Sequence, residues 1–474
     1  VLSSANSVRF RLAVSLCLST AIAGSLAGCG VKRAIFGGPD PNAPKVLTGF
    51  IGGVVADEPR AALAARQVLA AGGNAADAAV ALGFMLSVTL PSRAALGGGG
   101  ACVVYAPGNG SPNHGLPEAD MFLPGAPAQR AGDRPAAVPM LARGLYLLSA
   151  QYGTRNFSAL VAPAEEAARS GFPISRSLEQ DLTLVAGPLV QDPEAQAVFA
   201  PKGAPLGEGE TLIQPNLATT LRQLRTVGVG DLYQGLLAHH MVEASAQAGG
   251  PMSVDDLRQA RATLVAPIDR PAGTDHVAFL PLPADGGVAA AAAFAVLQHD
   301  PAGYQAAGDT SQAVAARFRA QGGSADTLLS QTGTATALPA LPASTGFVVV
   351  DRKGQAVACT LTMDNLFGTG RIAPGTGMLL AASPAAKPAP LLSSAIAWSP
   401  DRGAFRAAVS GTGQNAAALA TAAALTQALA SGTAPVPDPG RANVISCPAY
   451  LPGGASSCTF TVDSRGAGLA AAGN

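Results

Sequence analysis

From Val46 onward the chain reads as apolar runs separated by short polar or glycine-rich breaks. After GFIGGVVA (49–56), Asp57 can cap a helix running through Leu69, with Pro59 in its first turn. AGGN (71–74) ends that helix and Asn74 caps the next. That second helix, AADAAVALGFMLSV, is apolar nearly all round, which predicts burial as far as about Val88. ALGGGGACVVYA (95–106) feeds four glycines into a buried strand, where a missing side chain lets backbone or ligand come close.

From 137 to 275 the pattern is mostly helical, with Gly153 and Gly171 at helix ends and LYQGLLAHHMVEASAQAGG as one helical run. Ser253 and Asp256 have the spacing of a capping box. HVAFLPLPADGG (276–287) predicts a strand and a turn, and VAAAAAFAVLQ another buried helix. The pattern weakens over 300–343, and SQTGTATALPALPA (330–343) has no period and reads as a mobile loop. GFVVVD (346–351) and AVACTLTM (356–363), joined by RKGQ, carry a hairpin signal. SSAIAWSP and AFRAAVSG add strands, and NAAALATAAALTQALAS (415–431) a helix. Helices before and after the strands suggest sheets sandwiched between helix layers. The junction LPASTGFVVVD (341–351) sets Ser344 and Thr345 where the unpatterned run meets a strand. Its plain reading is a hydroxyl cap on a strand start. Its chemical reading is a bond that is cut so that Ser344 becomes a new chain start.

Composition narrows the function classes. Of 474 residues, 48% are hydrophobic and 13% charged, enough apolar content for a core. Lys+Arg and Asp+Glu balance at 30 each, so the basic excess of a nucleic-acid binder is missing. The five histidines (114, 239, 240, 276, 299) make no metal-ligand spacing, and neither a metal nor another cofactor is implied. At the N-terminus, Arg9 and Arg11 precede LAVSLCLSTAIAG (12–24), an apolar run of signal-peptide length. It ends in LAGC (Leu26–Cys29), which resembles the lipobox of bacterial lipoproteins. That implies removal of residues 1–28, lipidation of Cys29, a linker over 29–45, and a membrane-anchored protein in the bacterial periplasm. The alternative is an ordinary signal peptide with an incidental cysteine. Beyond Cys17 and Cys29, Cys447 and Cys458 flank a short loop that a disulfide could close. Cys102 and Cys359 lie in apolar strand-like runs and read as inert core residues.

Six segments carry a family resemblance: QVLAAGGNAADAAVA, LGGGGACVVY, GGPMSVDDLRQARATLVAPI, LPADGGVAAAAAF, VVVDRKGQAVACTLTMDNLFGTG and PLLSSAIAWSP. In order and over roughly 47–431 they resemble the γ-glutamyltranspeptidases. The resemblance implies an α+β fold, the four-layer αββα N-terminal-nucleophile hydrolase sandwich. It also implies one chain that cuts itself into two fragments that stay associated, here 46–343 and 344–474. The cut would fall between Ala343 and Ser344. A hydroxyl needs a base to become a nucleophile. The α-amine freed by the cut titrates near neutrality, at roughly 7.7–8.0, and can be that base.

Further roles follow from the same resemblance. Thr362 falls where the family has a Thr hydroxyl touching the nucleophile. Gly413 and Gln414 stand at a Gly-Gly turn whose amides form an oxyanion hole. Ser393 and Ser394 match a paired-Ser motif that holds the substrate's α-carboxylate. Asp364 aligns with a family Asn, and Asn365 is its neighbour. Three departures stand out. Ser344-Thr345-Gly346 replaces the usual Thr-Thr-His. Leu123 stands where the family has an Arg clamping the α-carboxylate, and a leucine cannot form that bidentate pair. AASPAAKPAPLLSS lacks the acidic pair that grips the α-amino group. Two functions remain in view. One is a self-cleaving amidohydrolase or acyltransferase for γ-glutamyl or other N-acyl amides of small molecules or peptides. The other is a non-catalytic relative that serves as an envelope scaffold or binding module.

Overall fold

The computed structural model describes residues 49–473, apart from 109–110, 130, 332–337 and 431–435. The expected signal segment 1–28, the linker 29–45 and Cys29 lie outside the described residues. Two sheets form the centre. The first runs in the order β13 (Leu469–Gly473), β1 (Gly52–Ala56), β7 (Ser344–Asp351), β8 (Ala356–Thr362), β2 (Gly99–Tyr105), β3 (Glu118–Phe122), β4 (Thr263–Val265). The second runs β12 (Thr459–Thr461), β11 (Arg441–Leu451), β10 (Ala404–Thr412), β9 (Ser393–Ser399), β6 (Asp275–Phe279), β5 (Ile268–Ala272). Neighbouring strands in both are antiparallel.

Strand alternation sorts side chains between layers. Phe347, Val349, Val357 and Leu361 join the core beneath helices α1 (Pro59–Ala70) and α2 (Ala75–Thr89). Val348, Val350, Ala356 and Ala358 point the other way, into the core between the sheets with Ile396, Trp398 and Phe405. Helices α3 (Asp285–His299) and α5 (Ala417–Leu429) cover the second sheet, and α4 (Tyr304–Gln321) packs on both. The outcome is the expected αββα sandwich.

Local signals placed most of these elements. Asn74 caps α2 in a reciprocal box: its side chain accepts from Asp77 N at 2.9 Å, and Asp77 accepts from Asn74 N at 3.0 Å. Every residue of α2 is buried, in keeping with its nearly all-apolar sequence. Ser253 and Asp256 form the second box. Four expectations need correction. Helix α1 is capped by Glu58, which accepts from Ala61 N at 2.8 Å, and not by Asp57. The run from Leu232 to Gly250 is two helices, Asp231–Gln234 and Leu236–Gln247, broken at Gly235. The weakly patterned 300–343 region holds α4 and a short helix, Ala325–Ser330; residues 338–343 have no regular structure and 332–337 lie outside the described residues. Strands β11 to β13 complete both sheets from a segment with no clear signal.

The fourth correction concerns Cys102 and Cys359, which form a disulfide with Cα atoms 4.0 Å apart. They face each other in register across β2 and β8, and that position brings their Cβ atoms within bonding reach. Each is fully buried. Cys447 and Cys458 also form a bridge, as their spacing allowed.

Candidate active site

The strand β7 begins at Ser344, and the residues before it leave the sheet along the wall of a cavity of about 480 Å³. Ala343, Ser344, Asp364, Asn365, Gly413 and Gln414 all line it. Six of the residues singled out from sequence therefore meet in one place, with the candidate scissile bond among them.

Thr362 pairs with Ser344 across β8 and β7. Its hydroxyl donates to the carbonyl oxygen of Ala343 at 3.4 Å and accepts from Asp364 N at 2.9 Å. A hydroxyl on that carbonyl polarises the bond that would be cut. Asp364 follows at a positive φ of 52°, nearly fully buried, with Oδ2 lacking a hydrogen-bond partner. Burial alone pushes its carboxyl up to about 7, so near neutrality it exchanges between acid and carboxylate. Asn365 donates its side-chain amide to Gly368 O at 3.0 Å, which stiffens the turn beneath.

The candidate oxyanion turn keeps its shape despite the substitution. Gly413 has φ 110°, where a Cβ would meet Pro439 O at 2.7 Å, and Gln414 has φ 55°. A non-glycine residue in that region carries strain of about 1–2 kcal/mol. As the first residues of a 3₁₀ turn, their N–H groups have no partner within it. Asn415, unremarked in the sequence, holds the segment before the bond: Oδ1 accepts from Leu341 N at 3.0 Å and Nδ2 donates to Pro339 O at 3.0 Å.

Ser393 and Ser394 are brought close to this region but do not line the cavity. Both are fully buried. Ser393 Oγ donates to Thr421 Oγ1 at 2.7 Å, and Ser394 Oγ shares hydrogen bonds with Thr360 at 2.8 Å and Ser410 at 3.2 Å. Their hydroxyls belong to a polar cluster linking the sheets to α5. The same cluster explains Gly346: a Cβ there would lie 2.2 Å from Ser410 Oγ.

Leu123 packs against the core between the sheets. Positive charge reaches the cavity from elsewhere, through Arg93, Lys387 and Arg441. Arg93 is held by Asp181 through two bonds of 2.7 Å, and Ser92 Oγ donates to the same carboxylate at 2.6 Å. Sequence reasoning missed Arg93 because its partner lies 88 residues away on helix Arg176–Leu189. Among the described residues no cluster of His, Cys, Asp and Glu could hold a metal ion.

Comparison with known proteins bears on this geometry. The profile of the family described as gamma-glutamyltranspeptidase matches residues 61–318, more than half the chain. A glutathione hydrolase proenzyme of Bacillus subtilis is 32% identical over 270 residues, 54% of this chain and 46% of that protein. The chain thus matches about half the length of that relative. An acylase ACY 1 proenzyme of Pseudomonas sp. (strain V22) is 29% identical over 386 residues, covering 71% of this chain and 69% of that protein. Among solved structures, the cephalosporin acylase from Bacillus halodurans superposes with a TM-score of 0.72 at 18% identity, over 92% of this chain and 98% of that one.

Proposed function

Because the chain belongs to the γ-glutamyltranspeptidase family, we propose that it is an N-terminal-nucleophile amidohydrolase or acyltransferase that cuts its own Ala343–Ser344 bond. The observation that carries this reading is the carbonyl of Ala343, at the cavity wall, accepting from Thr362 Oγ1 at 3.4 Å beside Ser344.

In the first reaction Ser344 Oγ attacks the Ala343 carbonyl carbon. The C–N bond breaks as the nitrogen takes a proton, which leaves an ester between Ala343 and Ser344 Oγ. Water hydrolyses that ester, freeing the Ala343 carboxylate and the Ser344 amine. In the second reaction the amine takes the Oγ proton as Oγ attacks a substrate amide. The amides of Gly413 and Gln414 face the oxyanion that develops. The proton passes to the leaving amine, and water or an acceptor amine releases the acyl group from Oγ. Both relatives compared are named proenzymes, which supports a maturation step of this kind.

The acyl donor we propose is a γ-glutamyl or related N-acyl amide or peptide, since the relatives carry glutathione hydrolase and acylase names. The cationic side chains in the cavity favour an acyl group bearing a carboxylate. We also propose export and lipid anchoring through Cys29, with the two fragments remaining associated. Two disulfides suit an oxidising compartment of that kind. The test is release of chromophore from a γ-glutamyl anilide and a panel of other N-acyl anilides, wild type beside Ser344→Ala. Turnover by the wild type alone supports the reading; equal rates, or none on any compound, refute it.

A further inference from the structure

Asp57 is free of the capping role that its position suggested, and its carboxylate turns to the start of β7 instead. Strand β1 ends at Ala56, whose partner is Phe347. Ser344, Thr345 and Gly346 therefore run past the end of β1 and have a strand partner only on the β8 side, at Thr362, Leu361 and Thr360. On the open side Asp57 supplies the missing acceptors. Oδ2 accepts from Thr345 Oγ1 at 2.9 Å and from Gly346 N at 3.0 Å. Oδ1 accepts from Asn443 Nδ2 at 2.8 Å, and the same amide donates to Gly346 O at 2.8 Å. Asn443 comes from β11 of the other sheet and is almost wholly buried. The two residues after the nucleophile are thus gripped by a carboxylate and an amide drawn from separate sheets.

We infer that Asp57 is the positioning residue of the nucleophile, holding Thr345 and Gly346 so that Ser344 keeps its register once scission has made it a free strand end. The inference rests on the function proposed above. A chain terminus frays unless it is tied down. After the cut, Ser344 keeps one covalent neighbour and one strand partner, so the bonds two residues along decide how far its Oγ wanders. A carboxylate accepting several N–H and O–H groups is among the stronger ties available. Its negative charge also favours the protonated form of the nearby amine. The other charged groups at this site are Asp364, Lys387, Arg441 and Arg93 with its partner Asp181. Of these, Arg93 feels the Asp57 charge, which favours its cationic form, and a guanidinium stays cationic without it.

The experiment uses the full chain with Asp57→Asn, Thr345→Val and the double variant. It records the fraction cut on reducing denaturing gels, kcat and KM on the anilide the wild type turns over, and the pH profile of kcat. A displacement of the reacting atoms by about 1 Å typically costs about 100-fold in rate. Asp57→Asn should therefore lower kcat by about that factor with KM within about twofold, and move the acidic limb of the profile to lower pH. The double variant should be little worse than Asp57→Asn alone, because both cut the same tie. A folded Asp57→Asn chain should still cut itself, since before scission Ser344 is held covalently on both sides; failure to cut overturns the inference as stated. If Asp57→Asn does not fold, Thr345→Val decides, with the same loss of kcat expected. Wild-type kcat and pH profile in the folded variant overturn it while leaving the hydrolase reading intact. A wild-type chain that neither cuts itself nor turns over any anilide overturns both.

Discussion

Asp364 offers the most quantitative prediction. Its carboxyl is nearly fully buried beside Ser344, with one oxygen unpartnered, and burial raises its pKa from the ordinary 3.8 to about 7. The native state therefore binds this proton more tightly than the unfolded chain does. The sign follows from that difference. Below about pH 4 the group is neutral in both states and carries no penalty. Between about pH 4 and 7 the unfolded chain loses the proton while the native state keeps it, and native stability falls as pH rises. Above about pH 7 the penalty is complete. At about 1.4 kcal/mol per unit, a span of about three units makes it at most about 4 kcal/mol. Asp364→Asn has the same shape and cannot ionise. Denaturant unfolding from pH 4 to 8.5, with Ser344→Ala in both chains so that neither is cut, isolates the effect. The asparagine chain should match its parent near pH 4 and exceed it by up to about 4 kcal/mol at pH 8. A difference that stays constant across that range refutes the reasoning. In the active protein the same substitution should remove any fall in kcat/KM above pH 7 for an anionic acyl donor.

Three more outcomes follow from the geometry. Thr362→Val removes the donor on the Ala343 carbonyl and should slow self-cleavage by about 100-fold, read as the half-time of fragment appearance. Gln414→Gly relieves a positive φ and should raise stability by about 1 kcal/mol in denaturant unfolding without loss of turnover. The Cys102–Cys359 bridge joins residues on either side of the scissile bond. The two fragments should therefore separate on denaturing gels only with reductant, and the Cys102→Ala/Cys359→Ala double variant should separate without it.

The sandwich was legible because its elements announce themselves locally. The Asn74 cap, the nearly all-apolar α2 and the hairpin at 346–363 each rest on residues within a few positions of one another. What stayed hidden depends on distant parts of the chain. Asp57 and Glu58 are adjacent and both can cap a helix, so local reasoning had no means to choose. Asp57 is drawn away by Thr345, 288 residues later. Cys102 and Cys359 are separated by 257 residues and meet only because β8 lies beside β2. Ser393 and Ser394 matched a motif, but the hydroxyl cluster they join, with Thr360, Ser410 and Thr421, draws on separate elements. Helix α4 escaped notice because its sequence is polar and broken by Gly308, and packing on α3 and α5 holds it in place.

Turnover of any substrate amide depends on an amine that exists only after backbone scission at one serine. The direct measurement is reducing denaturing electrophoresis of purified protein, with N-terminal sequencing of the smaller fragment, beside a Ser344→Ala control. The account predicts a fragment beginning at Ser344 in the wild type and an uncut chain in the control. A wild-type chain still continuous across Ala343–Ser344 would contradict it.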